Sequence, residues 1–423
     1  MFHNRNIVSA VEMGTSKFCV LVGEIGEDGT LDVIGRGEAP SAGAVVKGEI
    51  VDMEKAFDQL AKALEEADRA SSRALNQTRM VMVLVTGCGI ASQPGVGMVV
   101  VRNDEHVVTE AERREANENA RILNLAAERK IINTSESFFM VDGRRVSNPL
   151  RHHGSKLEAH IHIVHGISAR VDNFRNLVRE SGFDDADIDV VFSPVAADLG
   201  VLNEMEREDG VLLIDLGAGC AEYVMEYDSG VCASGVLQVG MEHVANDLSI
   251  GLGLGIDQCR RLLVSGELAR AEKEGRQSIV LRSGSGAERS IPLCSFETIV
   301  DCRLREIFTI IRRQLELAGS PRSLAAGGVL TGGGALFPRS RELFAEVFDI
   351  SCRVAQPRDA EGAVTDLASP RYSAVWGALK IAAHYRAVEL SGEGVAGGVM
   401  DAVDRGLRSI RQGYGKIKRA LKF

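Results

Sequence analysis

The sequence lacks the long apolar runs that membrane-spanning helices require. Its 423 residues are 45% hydrophobic and 26% charged, but no uninterrupted apolar segment approaches the ~18–20 residues that a spanning helix needs. The segment 1–6 is polar and has no apolar core of a signal peptide. These absences predict a globular protein that is not exported, and the length predicts two or three domains.

Closely spaced cysteine pairs are also missing. The eight cysteines are scattered and form no CxxC pair. This spacing argues against a zinc site or a disulfide scaffold, and it predicts reduced, structural thiols in a cytoplasmic protein.

The net charge is unevenly distributed along the chain. The net charge is −10, yet residues 404–423 hold seven Lys or Arg against one acid, Asp404. The acidic body argues against broad nucleic-acid binding, so no nucleic-acid partner is expected. The basic end predicts an anionic partner.

Two strand–turn–strand units lie about two hundred residues apart. In the first, an apolar strand at 7–12 leads into Gly-Thr-Ser-Lys at 14–17; in the second, a strand at 211–215 leads into Leu-Gly-Ala-Gly-Cys at 216–220. A third glycine-rich element follows at 327–335. A single turn of this kind is usually only a hairpin. The set predicts a nucleotide cleft, because facing turns present backbone N–H groups to phosphates and glycines allow close approach to a nucleoside.

These residues resemble the actin-like ATPase superfamily and, within it, the FtsA family of division proteins that attach FtsZ filaments to the bacterial membrane. The resemblance extends over nearly the whole chain, including a subdomain inserted at 87–165. The stretches that carry it are 14–17 with 22–24, 141–164, 201–207, 329–335 and 416–423.

The resemblance implies a two-lobed actin-like (ribonuclease H-like) α/β fold with an inserted α+β subdomain and a C-terminal amphipathic helix. The expected boundaries are 1–86 with 166–208 for the first lobe, 87–165 for the inserted subdomain, 209–390 for the second lobe (245–326 its smaller subdomain), 391–403 for a flexible linker and 404–423 for a membrane-targeting helix.

The resemblance also implies that ATP and Mg²⁺ bind between the lobes. The implied nucleotide-binding residues are Gly14, Thr15, Ser16 and Lys17 in the first turn, Asp215, Gly217, Ala218, Gly219 and Cys220 in the second, and Gly332, Gly333 and Gly334 beside the nucleoside. Asp215 is the implied metal residue. It would act through water, because Mg²⁺ keeps several waters and needs few carboxylates.

Four departures from the family pattern bear on activity. Glu12 stands where an Asp is usual, and the second turn reads Gly-Ala-Gly-Cys instead of Gly-Gly-Gly-Thr. Cys259 and Leu262, or Arg261 with a one-residue shift, occupy the place of a Glu-x-x-Lys pair that often contacts the nucleoside. Ser193 replaces the acid or amide that orients the attacking water in actin-like hydrolases. We therefore expect weakened nucleotide binding and at most a slow ATPase, with no catalytic residue assigned.

The last twenty residues have the pattern of an interfacial membrane helix. An apolar stripe with helical spacing is formed by Leu407, Ile410, Tyr414, Ile417 and Leu421. The cations off this stripe include Arg411, Lys418, Arg419 and Lys422. A basic amphipathic helix lies in the interface of an anionic phospholipid membrane. The expected location is therefore the cytoplasmic side of the inner membrane, as a peripheral protein.

Arg303 and Glu306 are the candidate partner-binding residues. Their spacing by itself predicts only an ion pair within one helix, whereas the resemblance implies that they face the C-terminal tail of FtsZ. The resemblance further implies self-association into filaments and contacts with other division proteins, so that the protein would anchor the Z ring and assemble the divisome.

Two other functions remain open at this point. One is an actin-like scaffold of a pilus or secretion system, a class that generally lacks the basic terminal helix. The other is a small-molecule kinase of the same superfamily, which would need a catalytic acid on its substrate side.

Overall fold

The structure, a computed structural model, describes residues 5–87, 89–282, 288–319, 324–360 and 366–390. The β-strands in these ranges are β1 (Asn6–Met13), β2 (Lys17–Ile25), β3 (Leu31–Pro40), β4 (Val45–Val46), β5 (Glu49–Ile50), β6 (Thr78–Val85), β7 (Ala91–Val100), β8 (Arg129–Val141), β9 (Arg144–Val146), β10 (Lys156–Ile167), β11 (Asp187–Phe192), β12 (Val211–Leu216), β13 (Ala221–Tyr227), β14 (Gly230–Leu237), β15 (Ser278–Arg282), β16 (Glu288–Pro292), β17 (Gly327–Thr331) and β18 (Cys352–Val354). The α-helices are α1 (Met53–Ala70), α2 (Glu110–Ala120), α3 (Ser168–Glu180), α4 (Ser193–Val201), α5 (Glu204–Asp209), α6 (Met241–Leu252), α7 (Ile256–Val264), α8 (Glu267–Lys273), α9 (Leu293–Leu317), α10 (Ser340–Phe348) and α11 (Ser373–Leu390).

The first lobe is built on a five-stranded sheet in the order β11-β6-β1-β2-β3. Its central strands are almost wholly buried, because helices pack against both faces of the sheet. Helix α1 is one of these; it begins at Asp52, whose carboxylate accepts a hydrogen bond from the Lys55 N–H at 3.0 Å, and it buries Leu60 and Leu64. The continuous apolar strands of the sequence are thus explained by burial on two faces.

The second lobe repeats this plan with a sheet in the order β14-β13-β12-β17-β18. Strand β12 is antiparallel to β13 and parallel to β17, just as β1 is antiparallel to β2 and parallel to β6. Helices α6, α7, α9 and α10 enclose a separate apolar core in this lobe. Each lobe therefore places a tight hairpin turn at the end of its central strand.

Helices α4 and α11 join the lobes by crossing at two glycines. A Cβ atom on Gly377 would overlap the carbonyl oxygen of Ala196, and one on Gly200 would overlap that of Ser373. Helix α11 follows the second lobe in sequence but packs against β1, β2 and β6 of the first. The chain therefore returns to its first lobe through a helix crossing that tolerates no side chain at either position.

The inserted subdomain is a four-stranded sheet in the order β7-β10-β8-β9, with α2 packed against it. Although it extends from the first lobe, it contacts the edge strand β14 of the second. The Ser92 hydroxyl donates to the Ser234 carbonyl at 2.7 Å, and the Ser137 hydroxyl donates to the Val231 carbonyl at 2.6 Å. The predicted α/β arrangement of two lobes with an α+β insertion is confirmed.

The predicted linker 391–403 and the predicted membrane helix 404–423 lie outside the described residues. Among the residues that are described, no helix combines the length and apolarity needed to cross a bilayer.

A buried ion cluster ties the crossing helix α4 to the second sheet. The Arg207 Nε atom of α5 lies 3.1 Å from Asp198 Oδ1 of α4 and 3.7 Å from Glu226 Oε2 of β13, and the three side chains are at most 5% exposed. Buried charges of this kind are stable only together, because each compensates for the lost hydration of the others.

Replacement of Arg207 by Met should therefore lower the free energy of unfolding by about 3–5 kcal/mol at pH 7, since two buried carboxylates lose their cation. Denaturant unfolding followed by circular dichroism measures the change. The control is Arg69→Met, which removes an exposed ion pair with Glu65 and should cost at most about 1 kcal/mol. Equal losses in the two variants would contradict the structural role of the cluster.

Candidate functional site

The two predicted phosphate turns have the same geometry and meet between the lobes. The Gly14 N–H donates to the Lys17 carbonyl at 2.9 Å, and the Gly217 N–H donates to the Cys220 carbonyl at 2.9 Å. Gly219 lies against Thr15, so closely that a Cβ atom on Gly219 would overlap the Thr15 hydroxyl oxygen. The structure thus brings together residues that are two hundred positions apart in the sequence.

Each turn is held from behind by its own lobe. In the first, the Ser16 carbonyl accepts a hydrogen bond from the Ser41 N–H at 3.1 Å. In the second, the Gly217 carbonyl accepts from the Met241 N–H at 3.0 Å and the Ala218 carbonyl from the Glu242 N–H at 2.8 Å. Helix α6 therefore begins directly on the second turn, and both turns are rigidly positioned.

The third glycine-rich element lies beside the second turn, because β17 pairs with β12. A Cβ atom on Gly332 would overlap the Asp215 carboxylate, and one on Gly334 would lie 2.5 Å from the Leu216 side chain. Only Gly333 faces open space, with the Arg371 side chain nearest at 3.9 Å. Packing against β12 thus explains two of the three glycines, and Gly333 alone is open to a ligand.

Three carboxylates lie where the turns meet. Burial raises the pKa of Glu12, and burial together with the charge of Glu12 raises the pKa of Asp215 to about 7. Burial also raises the pKa of Glu222 well above its usual value, although the Thr86 hydroxyl donates to Glu222 Oε1 at 2.5 Å. The cleft therefore has an acidic floor that retains protons near neutral pH.

Glu222 is the functional candidate that the sequence analysis missed. It lies directly opposite Asp215 in the register of the β12–β13 hairpin. The available signal was the hairpin itself, since a tight turn at 217–220 places the seventh residue after Asp215 across from it.

One oxygen of Glu12 is buried without a hydrogen-bond partner. Burial of such an atom is unfavourable in free energy unless a proton, a cation or a water molecule binds to it. No three His, Cys, Asp or Glu side chains within the described ranges are grouped closely enough to hold a metal ion directly. The donor set fits a hydrated Mg²⁺ ion, which needs few protein ligands.

Lys17 is occupied within its own lobe. Its ammonium lies 2.8 Å from Glu38 Oε1 and 4.1 Å from the centre of the Tyr372 ring, and the residue is 8% exposed. This lysine of the predicted first phosphate turn therefore supports the turn through a partly buried ion pair.

The positions that depart from the family pattern lie as follows. Cys259 and Leu262 are buried in the core of the second lobe, so neither side chain is available to a nucleoside. Ser193 is the first residue of α4, immediately after β11, and it is buried. No acid or amide side chain is thus contributed by this strand–helix junction.

Arg303 and Glu306 form a separate cluster on α9. Arg303 donates to both carboxylate oxygens of Asp247 on α6, at 2.6 and 3.0 Å, and to Glu306 Oε2 at 2.5 Å. The ion pair expected from their spacing is present, and Asp247 is an additional member. The predicted membrane residues at 407–422 lie outside the described residues.

Comparison with family models identifies two matching regions. The model described as "Cell division protein FtsA" matches residues 212–377, and the model described as "SHS2 domain inserted in FTSA" matches residues 87–165. Together the two models match more than half of the chain.

Curated relatives match over nearly the full length. The cell division protein FtsA of Borreliella burgdorferi is 28% identical over 378 residues, covering 88% of this chain and 90% of that protein. FtsA of Bacillus subtilis is 28% identical over 358 residues (84% and 80%), and FtsA of Escherichia coli K12 is 25% identical over 402 residues (92% and 93%).

Solved structures share the fold. A chain of the PilM-PilN type IV pilus biogenesis complex has a TM-score of 0.59 at 14% identity, covering 88% of this chain and 97% of its own. MreB5 of Spiroplasma citri, solved bound to ADP, has a TM-score of 0.50 at 16% identity, with 89% and 95% covered. These likenesses confirm the predicted actin-like fold. The two family models and the curated relatives show that the chain belongs to the FtsA family of cell division proteins.

Proposed function

We propose that this FtsA-family protein binds Mg·ATP between its lobes, recruits FtsZ filaments through their C-terminal tail, and anchors them to the cytoplasmic face of the inner membrane. The observation that carries the nucleotide proposal is the contact of the two turns at Thr15 and Gly219 above the acidic floor. Self-association and binding of other division proteins are proposed on the family resemblance alone.

The cleft has the groups that a magnesium nucleotide requires. Backbone N–H groups of the turns at 14–17 and 217–220 would receive the phosphates, and Gly333 would lie beside the nucleoside. Asp215 would hold Mg²⁺ through water, and the bound ion would neutralise phosphate charge that the cleft acids otherwise repel. The unpartnered oxygen of Glu12 and the raised pKa of Asp215 support this assignment, because both indicate a site that gains from a cation.

The same cleft is poorly equipped for rapid hydrolysis. A serine hydroxyl at the strand–helix junction is a weak base and cannot take a proton from water at neutral pH. The presence of Ser193 at this junction therefore favours slow turnover of the bound nucleotide. It does not favour a kinase function.

Asp215→Asn should weaken Mg·ATP binding by about 10- to 100-fold, because the group that orients the water shell of the metal loses its charge. Glu12→Gln should have a smaller effect. Since the pKa of Asp215 is about 7, wild-type affinity should rise as the pH increases through this value, and the Asn variant should lose that rise. Isothermal titration calorimetry with Mg·ATP measures both effects.

Stability of the nucleotide-free protein is the matched control for this variant. Between about pH 4 and pH 7, Asp215 is protonated in the folded protein but ionised in the unfolded chain. The free energy of unfolding therefore falls progressively as the pH rises through this range. Asp215→Asn should then stabilise the protein at pH 8 by a few kcal/mol, at about 1.4 kcal/mol per pKa unit, and by nothing near pH 4.

Unchanged Mg·ATP affinity contradicts the metal assignment, and a wild-type protein that binds neither ATP nor ADP at millimolar concentration contradicts the nucleotide proposal itself.

The partner site is proposed on α9 at Arg303, which is partly exposed and already contacts two acids. An acidic FtsZ tail would share this guanidinium with Asp247 and Glu306. Arg303→Glu should reduce affinity for an FtsZ C-terminal peptide at least tenfold, with the largest effect at low salt, because exposed charges are screened by ions. Fluorescence anisotropy measures it. Arg313→Glu is the control, since it makes the same charge change on the same helix, and equal losses in both variants would place the tail elsewhere.

The membrane anchor is proposed at residues 404–423, from the sequence pattern. Their removal should abolish co-sedimentation with anionic liposomes, and Ile417→Glu with Leu421→Glu should have the same effect because it interrupts the apolar stripe. Ser409→Glu with Gln412→Glu adds the same charge off the stripe and should only weaken binding. If the truncated protein sediments with vesicles as well as the full chain does, the anchor is located elsewhere.

A further inference from the structure

The hairpin formed by β4 and β5 reaches from the first lobe to the second turn. Its tip is Lys47-Gly48. A Cβ atom on Gly219 would lie 3.0 Å from the Lys47 Cα atom. A Cβ atom on Gly48 would lie 2.7 Å from the Gly87 nitrogen, so Gly48 packs closely against Gly87. The tip is therefore fixed by close backbone contacts at the point where Thr15 and Gly219 also meet.

Lys47 has an unfavourable backbone conformation. Its φ angle is +50°, in the left-handed region that favours glycine or asparagine. A residue that persists in this region is held there by its surroundings, and such residues are concentrated at functional sites. The two-residue hairpin between Val46 and Glu49 imposes this conformation on both of its central residues, Lys47 and Gly48.

The ammonium of Lys47 is available to a ligand. The side chain is exposed and forms no ion pair or hydrogen bond with any residue in the described ranges. Its acidic neighbour Glu49 is paired with Arg170. The charge of Lys47 acts at the start of α6. There the pKa of His243 is lowered mainly by burial and, to a smaller extent, by the positive charge of Lys47. Because α6 begins on the second turn, this cation acts on the space beside that turn.

The cleft needs such a cation. Its floor carries Glu12, Asp215 and Glu222, and the ammonium of Lys17 is held by Glu38. A triphosphate entering the cleft therefore meets acidic side chains, and the ammonium of Lys17 is already paired.

We propose that Lys47 is a phosphate-binding residue, whose ammonium holds the terminal phosphate of the bound nucleotide where the two turns meet. This inference rests on the proposed nucleotide binding. It assigns the contact that distinguishes ATP from ADP to a residue of the first lobe that touches the second turn. The terminal phosphate would therefore also stabilise the closed arrangement of the lobes.

Calorimetric titration of the full-length protein with Mg·ATP and with Mg·ADP tests the proposal. Lys47→Met keeps the length of the side chain without its charge, and Lys47→Asn keeps the left-handed backbone. Both should lose about tenfold or more in ATP affinity, as expected for a charged hydrogen bond, with a much smaller change for ADP. Lys47→Arg should retain most of the preference for ATP. Lys273→Ala, which removes one exposed cation from α8, should change neither affinity.

Each outcome decides the proposal. If Lys47→Met and Lys47→Asn bind ATP as tightly as the wild type, or lose ATP and ADP equally, Lys47 has no role at the terminal phosphate and its role is structural. Thermal unfolding of each variant identifies a general loss of folding, and Lys47→Asn remains informative if Lys47→Met does not fold. A wild-type protein that binds neither nucleotide overturns the proposed function as well, which distinguishes the two failures.

Discussion

The crossing of α4 and α11 at Gly200 and Gly377 sets the distance between the lobes. Helix α4 continues from β11 of the first lobe, and α11 brings the chain back from the second lobe onto β1. A side chain at either glycine would push the helices apart and separate the two turns. The crossing lies close to the cleft, because Ser373 of α11 is hydrogen-bonded to Thr331, which pairs with Asp215. The cleft thus depends on a backbone contact between two helices, with Arg207 holding α4 to the second sheet by charge.

Desolvation governs the chemistry of the cleft. The lobes bury Glu12, Asp215 and Glu222 beside one another, and burial raises the pKa of each carboxylate. Such a site is unfavourable for the isolated protein and favourable for one that holds a cation, because the bound charge replaces the lost hydration. The local instability of this site and the magnesium binding proposed for it therefore have the same physical origin.

The inserted subdomain is connected to this cleft by short contacts. It leaves the first lobe immediately after Thr86, which hydrogen-bonds to Glu222, and it then packs on β14 of the second lobe through Ser92 and Ser137. A change in the angle between the lobes would alter both sets of contacts. The insertion is thus in contact with both lobes, although none of its residues contributes a carboxylate to the floor.

The sequence by itself determined the repeated strand–turn–strand plan, the position of the insertion, the family and the place of Ser193. The repeated plan is local, because apolar periodicity and glycine spacing are written in consecutive residues. The family was indicated by the resemblance of several stretches to a known family. The tertiary structure alone showed that Lys17 is occupied by Glu38, and that Gly332 and Gly334 serve packing against β12. It also placed Lys47 against Gly219 in the other lobe. Each of these facts depends on contacts between segments far apart in the chain, and local pattern contains no information about which distant segments will meet.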